Sequence, residues 1–218
     1  MRQRAYDHVA FDLDGTLVDS RLDLVAAVNH VLEVLGLPCL SFVTICGFVG
    51  EGARLLVQRA LGPAHEQRLD EALQLFLAYY GRHLLDHTRP YPGVAETVAV
   101  LRARGVILSV LSNKPENLSR RILEGLSLLP HFAAVIGGDS LPARKPDPLG
   151  LRRLAELSGI PARRMLLVGD SRIDIETARA AGVAFCGVTW GIRPDEVLAE
   201  GQRVIECPAQ LIAVVERG

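Results

Sequence analysis

From residue 93 onward the chain alternates between apolar, strand-like runs and helical stretches, and this alternation constrains the fold more than any other feature. Helical patterning over 94–104, 116–128, 148–158 and 172–181 separates apolar runs at 106–111, 133–137, 165–169 and 184–188. Such a rhythm predicts an α/β fold: a doubly wound, mostly parallel sheet with helices on both faces. In sheets of this kind ligands bind outside the carboxyl ends of the strands. An earlier apolar run, Val9-Ala10-Phe11, supplies one more strand and stops at Asp12. With 218 residues and 49% hydrophobic content, the chain can bury the core of one mid-sized domain, or of a domain with an insertion.

The rhythm is interrupted between the first strand and the others. After Asp19 no strand-like run occurs until residue 106. Leu24, Val28, Val31 and Leu35 keep helical spacing, Ser20 and Asp23 suit a capping box, and Gly36 with Pro38 stops the helix. A second helix fits Ala53 to Leu61, and a third is patterned by Leu69, Leu73, Phe76, Tyr80 and Leu84. Pro90-Tyr91-Pro92-Gly93 marks the return to the sheet. The expected organisation is a core domain of residues 1–18 and 88–218, with a small all-helical cap domain of residues 19–87 inserted after the first strand.

Chemistry concentrates where the strands end. In Phe11-Asp12-Leu13-Asp14-Gly15-Thr16-Leu17 two carboxylates stand two residues apart, and side chains so spaced share one side of a strand until the chain turns. Asp14-Gly15 alone is an ordinary turn signal, but the full string is far more specific. The run 106–111 ends at Ser112-Asn113-Lys114, and the run 165–168 ends at Gly169-Asp170-Ser171, with Asp174 four residues beyond Asp170. Arg144-Lys145-Pro146-Asp147 follows the run 133–136. Of the 24 basic residues only Lys114 and Lys145 are lysines, and both lie in these segments. In a chain that otherwise uses arginine, a lysine marks a place suited to a compact point charge. Lys145 is the first choice for the site; Lys114 has solvent as an alternative.

Taken together, these segments resemble the haloacid dehalogenase superfamily, whose phosphotransferases open with Asp-x-Asp-Gly-Thr-Leu and continue with a Ser or Thr, a Lys and an acidic pair at later strand ends. The resemblance implies a catalytic set of Asp12 as nucleophile, Asp14 as general acid and base, Ser112 and Lys145. It implies a metal set of Asp12, Asp14 through its backbone carbonyl, Asp170 and Asp174, and phosphate contacts from Gly15, Thr16 and Asn113. Four carboxylates and an anionic substrate would repel one another without a cation, and hard oxygen ligands beside phosphate favour Mg²⁺. Having an acid at Asp14 points to phosphoryl transfer rather than dehalogenation. In the cap, Gly47-Phe48-Val49-Gly50-Glu51-Gly52-Ala53-Arg54 is similar to a loop of bacterial phosphoglycolate phosphatases, which makes Gly50, Gly52 and Arg54 substrate-binding candidates. The implied reaction is hydrolysis of 2-phosphoglycolate through an aspartyl-phosphate. A pyrophosphatase, a sugar-phosphate phosphatase and a β-phosphoglucomutase-type mutase share the fold. A receiver-like signalling module fits poorly, because its phosphorylated Asp comes later and no helical cap follows its first strand.

Composition narrows the partners. A net charge of -1 and a pI near 6.6 give no global field for nucleic acid or an anionic membrane, so the expected partner is a small phosphorylated metabolite. No apolar stretch approaches the roughly 20 residues that span a bilayer. Cys39, Cys46, Cys186 and Cys207 lack Cys-x-x-Cys spacing, and residues 1–10 are too charged for a signal peptide, so the expected setting is the cytoplasm. The expected state is a monomer or homodimer, both compatible with the sequence. Bland readings stand beside some residues. Asp174 suits a capping box with Ser171, Asp147 suits a helix start, His83 and His87 suit a solvated helix end better than a metal, and Trp190 suits packing.

Overall fold

The computed structural model describes residues 4–200 and 202–217. They form two compact units: one comprises the chain up to Asp19 and from Pro90 onward, the other Ser20–Arg89. The first unit is built on a six-stranded parallel sheet of β1 (His8–Phe11), β4 (Ile107–Leu111), β5 (Ala134–Ile136), β6 (Met165–Gly169), β7 (Ala184–Val188) and β8 (Val204–Ile205). Their spatial order is β5-β4-β1-β6-β7-β8. Two further short strands, β2 (Val18–Asp19) and β3 (Arg89–Pro90), make a separate two-stranded sheet.

The order explains why the motifs converge. After β1 the chain continues outward on one side through β4 and β5, then returns to the other side of β1 for β6, β7 and β8. Central β1 therefore lies at the topological switch point, where the carboxyl ends diverge and leave a crevice. Register fixes the level: Phe11 pairs with both Val110 and Val168, so Asp12, Ser112 and Asp170 follow on three adjacent strands. All residues of β1 and β6 are buried, as expected of central parallel strands covered on both faces.

Helices α5 (Val94–Ala103), α6 (Glu116–Gly125), α7 (Leu149–Ser158) and α8 (Arg172–Ala181) alternate with the strands. Leu111, Ile136, Leu151, Leu154, Met165 and Leu167 join in one buried cluster of strand and helix side chains. α8 stops at Gly182, whose left-handed φ of 66° lets Val183 N–H donate to the Ala178 carbonyl at 3.0 Å. Two helices near the C-terminus, α9 (Pro194–Ala199) and α10 (Gln210–Arg217), and strand β8 lie beyond what the sequence pattern predicts, because each is too short to establish a period.

The second unit is all-helical: α1 (Arg21–Val34), α2 (Phe42–Cys46), α3 (Ala53–Leu61) and α4 (Leu69–Arg82). Its interior is lined by Leu24, Val28, Val31, Leu56, Phe76 and Tyr80, with the Phe76 and Tyr80 rings stacked at 5.4 Å. The expected capping box at the start of α1 does not form. Ser20 makes no side-chain cap bond, and Asp23 turns instead to the far end of the unit. Its buried carboxylate accepts from His87 N–H (2.9 and 3.1 Å), Thr88 N–H (2.8 Å) and the Thr88 hydroxyl (2.7 Å). Three fixed donors outcompete the single N–H that a capping box would have offered. Among the described residues no helix is long and apolar enough to cross a membrane.

Candidate active site

The carboxyl ends of β1, β4 and β6, with the loop after β5, gather four carboxylates and two ammonium groups. Asp12 continues β1, its N–H still donating to the Val168 carbonyl at 2.9 Å. Next comes a tight turn in which the N–H groups of Thr16, Leu17 and Val18 all donate to the Leu13 carbonyl. Gly15 enables this turn with φ 87°, and a Cβ there would lie 2.2 Å from Asp170 Oδ2. Glycine is thus required twice over, for backbone sign and for space.

Lys145 is the hub. Its Nζ lies 2.8 Å from Asp12 Oδ1 and 2.6 Å from Asp174 Oδ1, and only 3% of its side chain is exposed. The other Asp174 oxygen accepts from the Ser171 hydroxyl at 2.6 Å. Asp174 is therefore no capping-box acid, since Ser171 makes no side-chain cap bond to α8 and donates to Asp174 instead. Asp170 Oδ2 accepts from the Ile192 N–H at 2.6 Å. Asn113 uses its side-chain N–H₂ to hold the Lys145 carbonyl at 3.0 Å, which fixes the loop that carries the lysine.

Lys114 is not solvated. Its Nζ pairs with Asp14 Oδ1 at 2.9 Å, and its side chain is only 5% exposed. Chain topology alone brings them together across a separation of 100 residues. Its rarity in an arginine chain was the available signal. Ser112 is buried beside them, its hydroxyl accepting from the Lys114 N–H at 3.3 Å. The buried Thr16 hydroxyl has no partner among the described residues, and Thr16 lines a small apolar void with Phe11, Val94, Val168 and Trp190. Asp147 accepts from Leu149 N–H at 2.8 Å and serves the start of α7. His83 pairs with Asp86 at 2.8 Å.

The charge at this site is unbalanced. Four carboxylates face two ammonium groups, leaving two formal negative charges in a buried setting. Burial pushes the Asp12 carboxyl up to about 6, with the Asp174 and Asp14 charges adding and Lys145 opposing. Burial pushes Asp170 further, to about 8, helped by the Asp12 and Asp174 charges and opposed by the Ile192 N–H and Lys145. Burial alone would lower the Lys145 value, yet the Asp12 and Asp174 carboxylates overcome it and raise it. A group of acids so strained toward neutrality is what a cation would relieve. Oxygens of Asp12, Asp170 and Asp174 lie within 4.8 Å of one another, the only such metal-capable group among the described residues. Hard carboxylate oxygens without nitrogen or sulfur suit a hard divalent cation.

The substrate candidates of the second unit occupy the entry to α3. Gly50 (φ 116°) and Gly52 (φ 91°) take left-handed backbone that other residues rarely adopt, and Gly52 caps the helix. Arg54, half-exposed, is paired with Asp70 at 2.9 Å.

This fold and carboxylate cluster define a haloacid dehalogenase-like hydrolase: the profile of that family matches residues 9–188, most of the chain, and the protein belongs to it. Within the family the chain is similar to phosphoglycolate phosphatases and is a phosphoric monoester hydrolase. It is 45% identical over 188 residues to "Phosphoglycolate phosphatase" of Neisseria gonorrhoeae, covering 84% of this chain and 80% of that protein. It is 39% identical over 216 residues to the phosphatase of the same name from Pseudomonas syringae pv. tomato, covering 96% and 77%. The crystal structure of a predicted phosphoglycolate phosphatase from Haemophilus somnus 129pt superposes with a TM-score of 0.91 at 33% identity, covering 97% of this chain and 99% of that one.

Proposed function

We propose that the protein is a Mg²⁺-dependent phosphatase that hydrolyses 2-phosphoglycolate to glycolate and phosphate through an aspartyl-phosphate on Asp12. The observation that carries this reading is the buried Asp12–Lys145–Asp174 chain, with Asp170 alongside at the switch point of the sheet. Asp12 and Asp170 would hold the cation with the Asp14 carbonyl, while Asp174, both of whose oxygens already accept hydrogen bonds, would orient Lys145. Bound Mg²⁺ would supply the positive charge that lets phosphate enter a pocket of carboxylates.

The protein groups do the rest. An Asp12 oxygen attacks phosphorus and the bond to the glycolate oxygen breaks, while Asp14, entering the step in its protonated form, gives its proton to the leaving alkoxide. Water then attacks the aspartyl-phosphate and gives its proton back to Asp14, which ends as it began; phosphate leaves and Asp12 is restored. Lys145 and Ser112 would face the charge that spreads over the phosphoryl oxygens, with Asn113 anchoring the Lys145 loop and Gly15 and Thr16 shaping the turn. Lys114 fixes the position of the Asp14 carboxylate.

Substrate choice rests on the relatives' shared name and on the loop at the start of α3. Gly50 and Gly52, which shape the start of that helix, are the candidates for substrate choice because of the loop's likeness to that of phosphoglycolate phosphatases. Arg54, engaged by Asp70, would add little. Soluble, cytoplasmic action on a small phosphorylated metabolite, without nucleic acid or membrane, as a monomer or homodimer, completes the reading. The test is phosphate release, with and without Mg²⁺, from 2-phosphoglycolate, pyrophosphate, sugar phosphates and an aryl phosphate. The expected result is Mg²⁺-dependent release with kcat/KM for 2-phosphoglycolate higher by orders of magnitude; equal rates across the panel would refute the substrate, and no release would refute the chemistry.

A further inference from the structure

The turn after β7 carries a glycine that its backbone does not need. Gly191 lies outside the left-handed region, so φ alone would accept other residues. Space does not. A Cβ at Gly191 would stand 2.3 Å from Asp170 Cβ, 2.6 Å from Asp170 Oδ2 and 2.7 Å from the Gly15 carbonyl oxygen, all nearer than real Cβ contacts come. On its two sides the same turn makes directed bonds. The Trp190 indole N–H donates to the Thr16 carbonyl at 3.2 Å across 174 residues, and the Ile192 N–H donates to Asp170 Oδ2 at 2.6 Å.

Three successive residues thus grip the two loops that supply the carboxylates: Trp190 and Gly191 the turn after Asp12 and Asp14, Gly191 and Ile192 the Asp170 side chain. We propose that Trp190-Gly191-Ile192 is a positioning strap, which holds Asp170 at a fixed distance from the Asp12 turn and so sets the spacing of the cation ligands. The proposal rests on the reading of this cluster as a cation site. Ordinary packing would explain an indole near Tyr91, whose ring lies 6.5 Å away, but it would explain neither the N–H aimed at a motif carbonyl nor the missing Cβ. Hydrogen bonds that orient a metal ligand typically change metal affinity or activity by about 10–100-fold when lost.

Two variants separate the strap from packing. Trp190→Phe keeps an aromatic ring but loses the indole N–H together with part of the ring volume, while Gly191→Ala adds one methyl at the Asp170 contact. Mg²⁺ binding is measured by calorimetry on the purified proteins, with denaturation in the absence of cation as a check on folding and the Mg²⁺ activation constant as a kinetic companion. The expected result is Mg²⁺ binding weakened by about 10–100-fold in Gly191→Ala and by about tenfold in Trp190→Phe, with Trp190→Phe still folded and unfolding cooperatively and with activity of both recovering as Mg²⁺ is raised. Parent-like Mg²⁺ affinity in both variants would overturn the strap while leaving the cation site intact. A parent protein that binds no Mg²⁺ would overturn the cation reading itself and the strap with it.

Discussion

Two buried carboxylate sites in this molecule solve the same physical problem in opposite ways. In the helical unit, Asp23 is 2% exposed and fully closed: two backbone N–H groups and a hydroxyl, all neutral and fixed, converge on it. In the sheet unit, Asp12, Asp170 and Asp174 are as deeply buried, yet they face one another and share one lysine. Burying a charge is costly unless it is paired and hydrogen-bonded. Asp23 is compensated by hydrogen bonds within its own unit, both of its oxygens accepting from these donors. The cluster is not fully compensated, and its unpaired charge is the part of the molecule that can act on something else.

The sharpest break between the two sites is in turnover. Asp12→Asn removes the proposed nucleophile and should lower kcat on the order of 10⁶-fold, the size of the loss when a catalytic nucleophile is removed, with the fold retained by circular dichroism; substantial residual activity in folded protein would reject the assignment. Next in size is Lys145→Met, which leaves two buried carboxylates without their cation and should cost about 3–5 kcal/mol in urea unfolding of cation-free protein. A parent-like midpoint would mean that Lys145 is no hub.

One chemically identical substitution should then give opposite signs. Asp23→Asn puts an amide N–H₂ among donors and should destabilise by about 1–3 kcal/mol. Asp170→Asn removes a carboxyl whose ionised form is disfavoured by burial and by the Asp12 and Asp174 charges, can keep the Ile192 N–H bond, and should stabilise cation-free protein while weakening its Mg²⁺ affinity. Equal signs in denaturant titrations would mean that the two carboxylate sites are compensated alike.

The smallest effect is in pH. Folded Asp170 ionises near 8 whereas an unfolded aspartate ionises near 3.8, so the folded state holds the proton more tightly and cation-free stability falls as pH rises toward 8. His8 acts in the other direction. It is buried between Ser109 (2.9 Å) and Ser158 (3.0 Å), and burial lowers it to about 4, so its contribution is lost as pH falls below about 6.5. Chemical denaturation from pH 6.5 to 8 without cation should therefore show a decline, which added Mg²⁺ reverses. A flat profile would place the Asp170 proton elsewhere.

Much of this was legible in the chain. The strand runs ending at Asp12, Ser112 and Asp170 have strong apolar patterns, and a parallel sheet brings such ends together whatever the loops do. Lys145 was legible as one of two lysines among 24 basic residues. The pairing of Lys114 with Asp14 was not, because only the β1–β4 adjacency joins residues 100 positions apart. Asp23 looked like a capping acid from its local spacing, and its real partners lie more than 60 residues away. Local sequence around Trp190 suggests packing alone; the contacts of this turn with Thr16 and Asp170 depend on β7 lying beside β6, a neighbour relation that no local pattern encodes.

The most direct test of the central claim is to mix the enzyme with 2-phosphoglycolate and Mg²⁺, quench in acid within a turnover, and locate any phosphoryl adduct by peptide mass spectrometry. A phosphoryl group on Asp12, accumulating further in Asp14→Asn, is the result this account predicts. Turnover with no adduct in either protein, or an adduct on another residue, would contradict it.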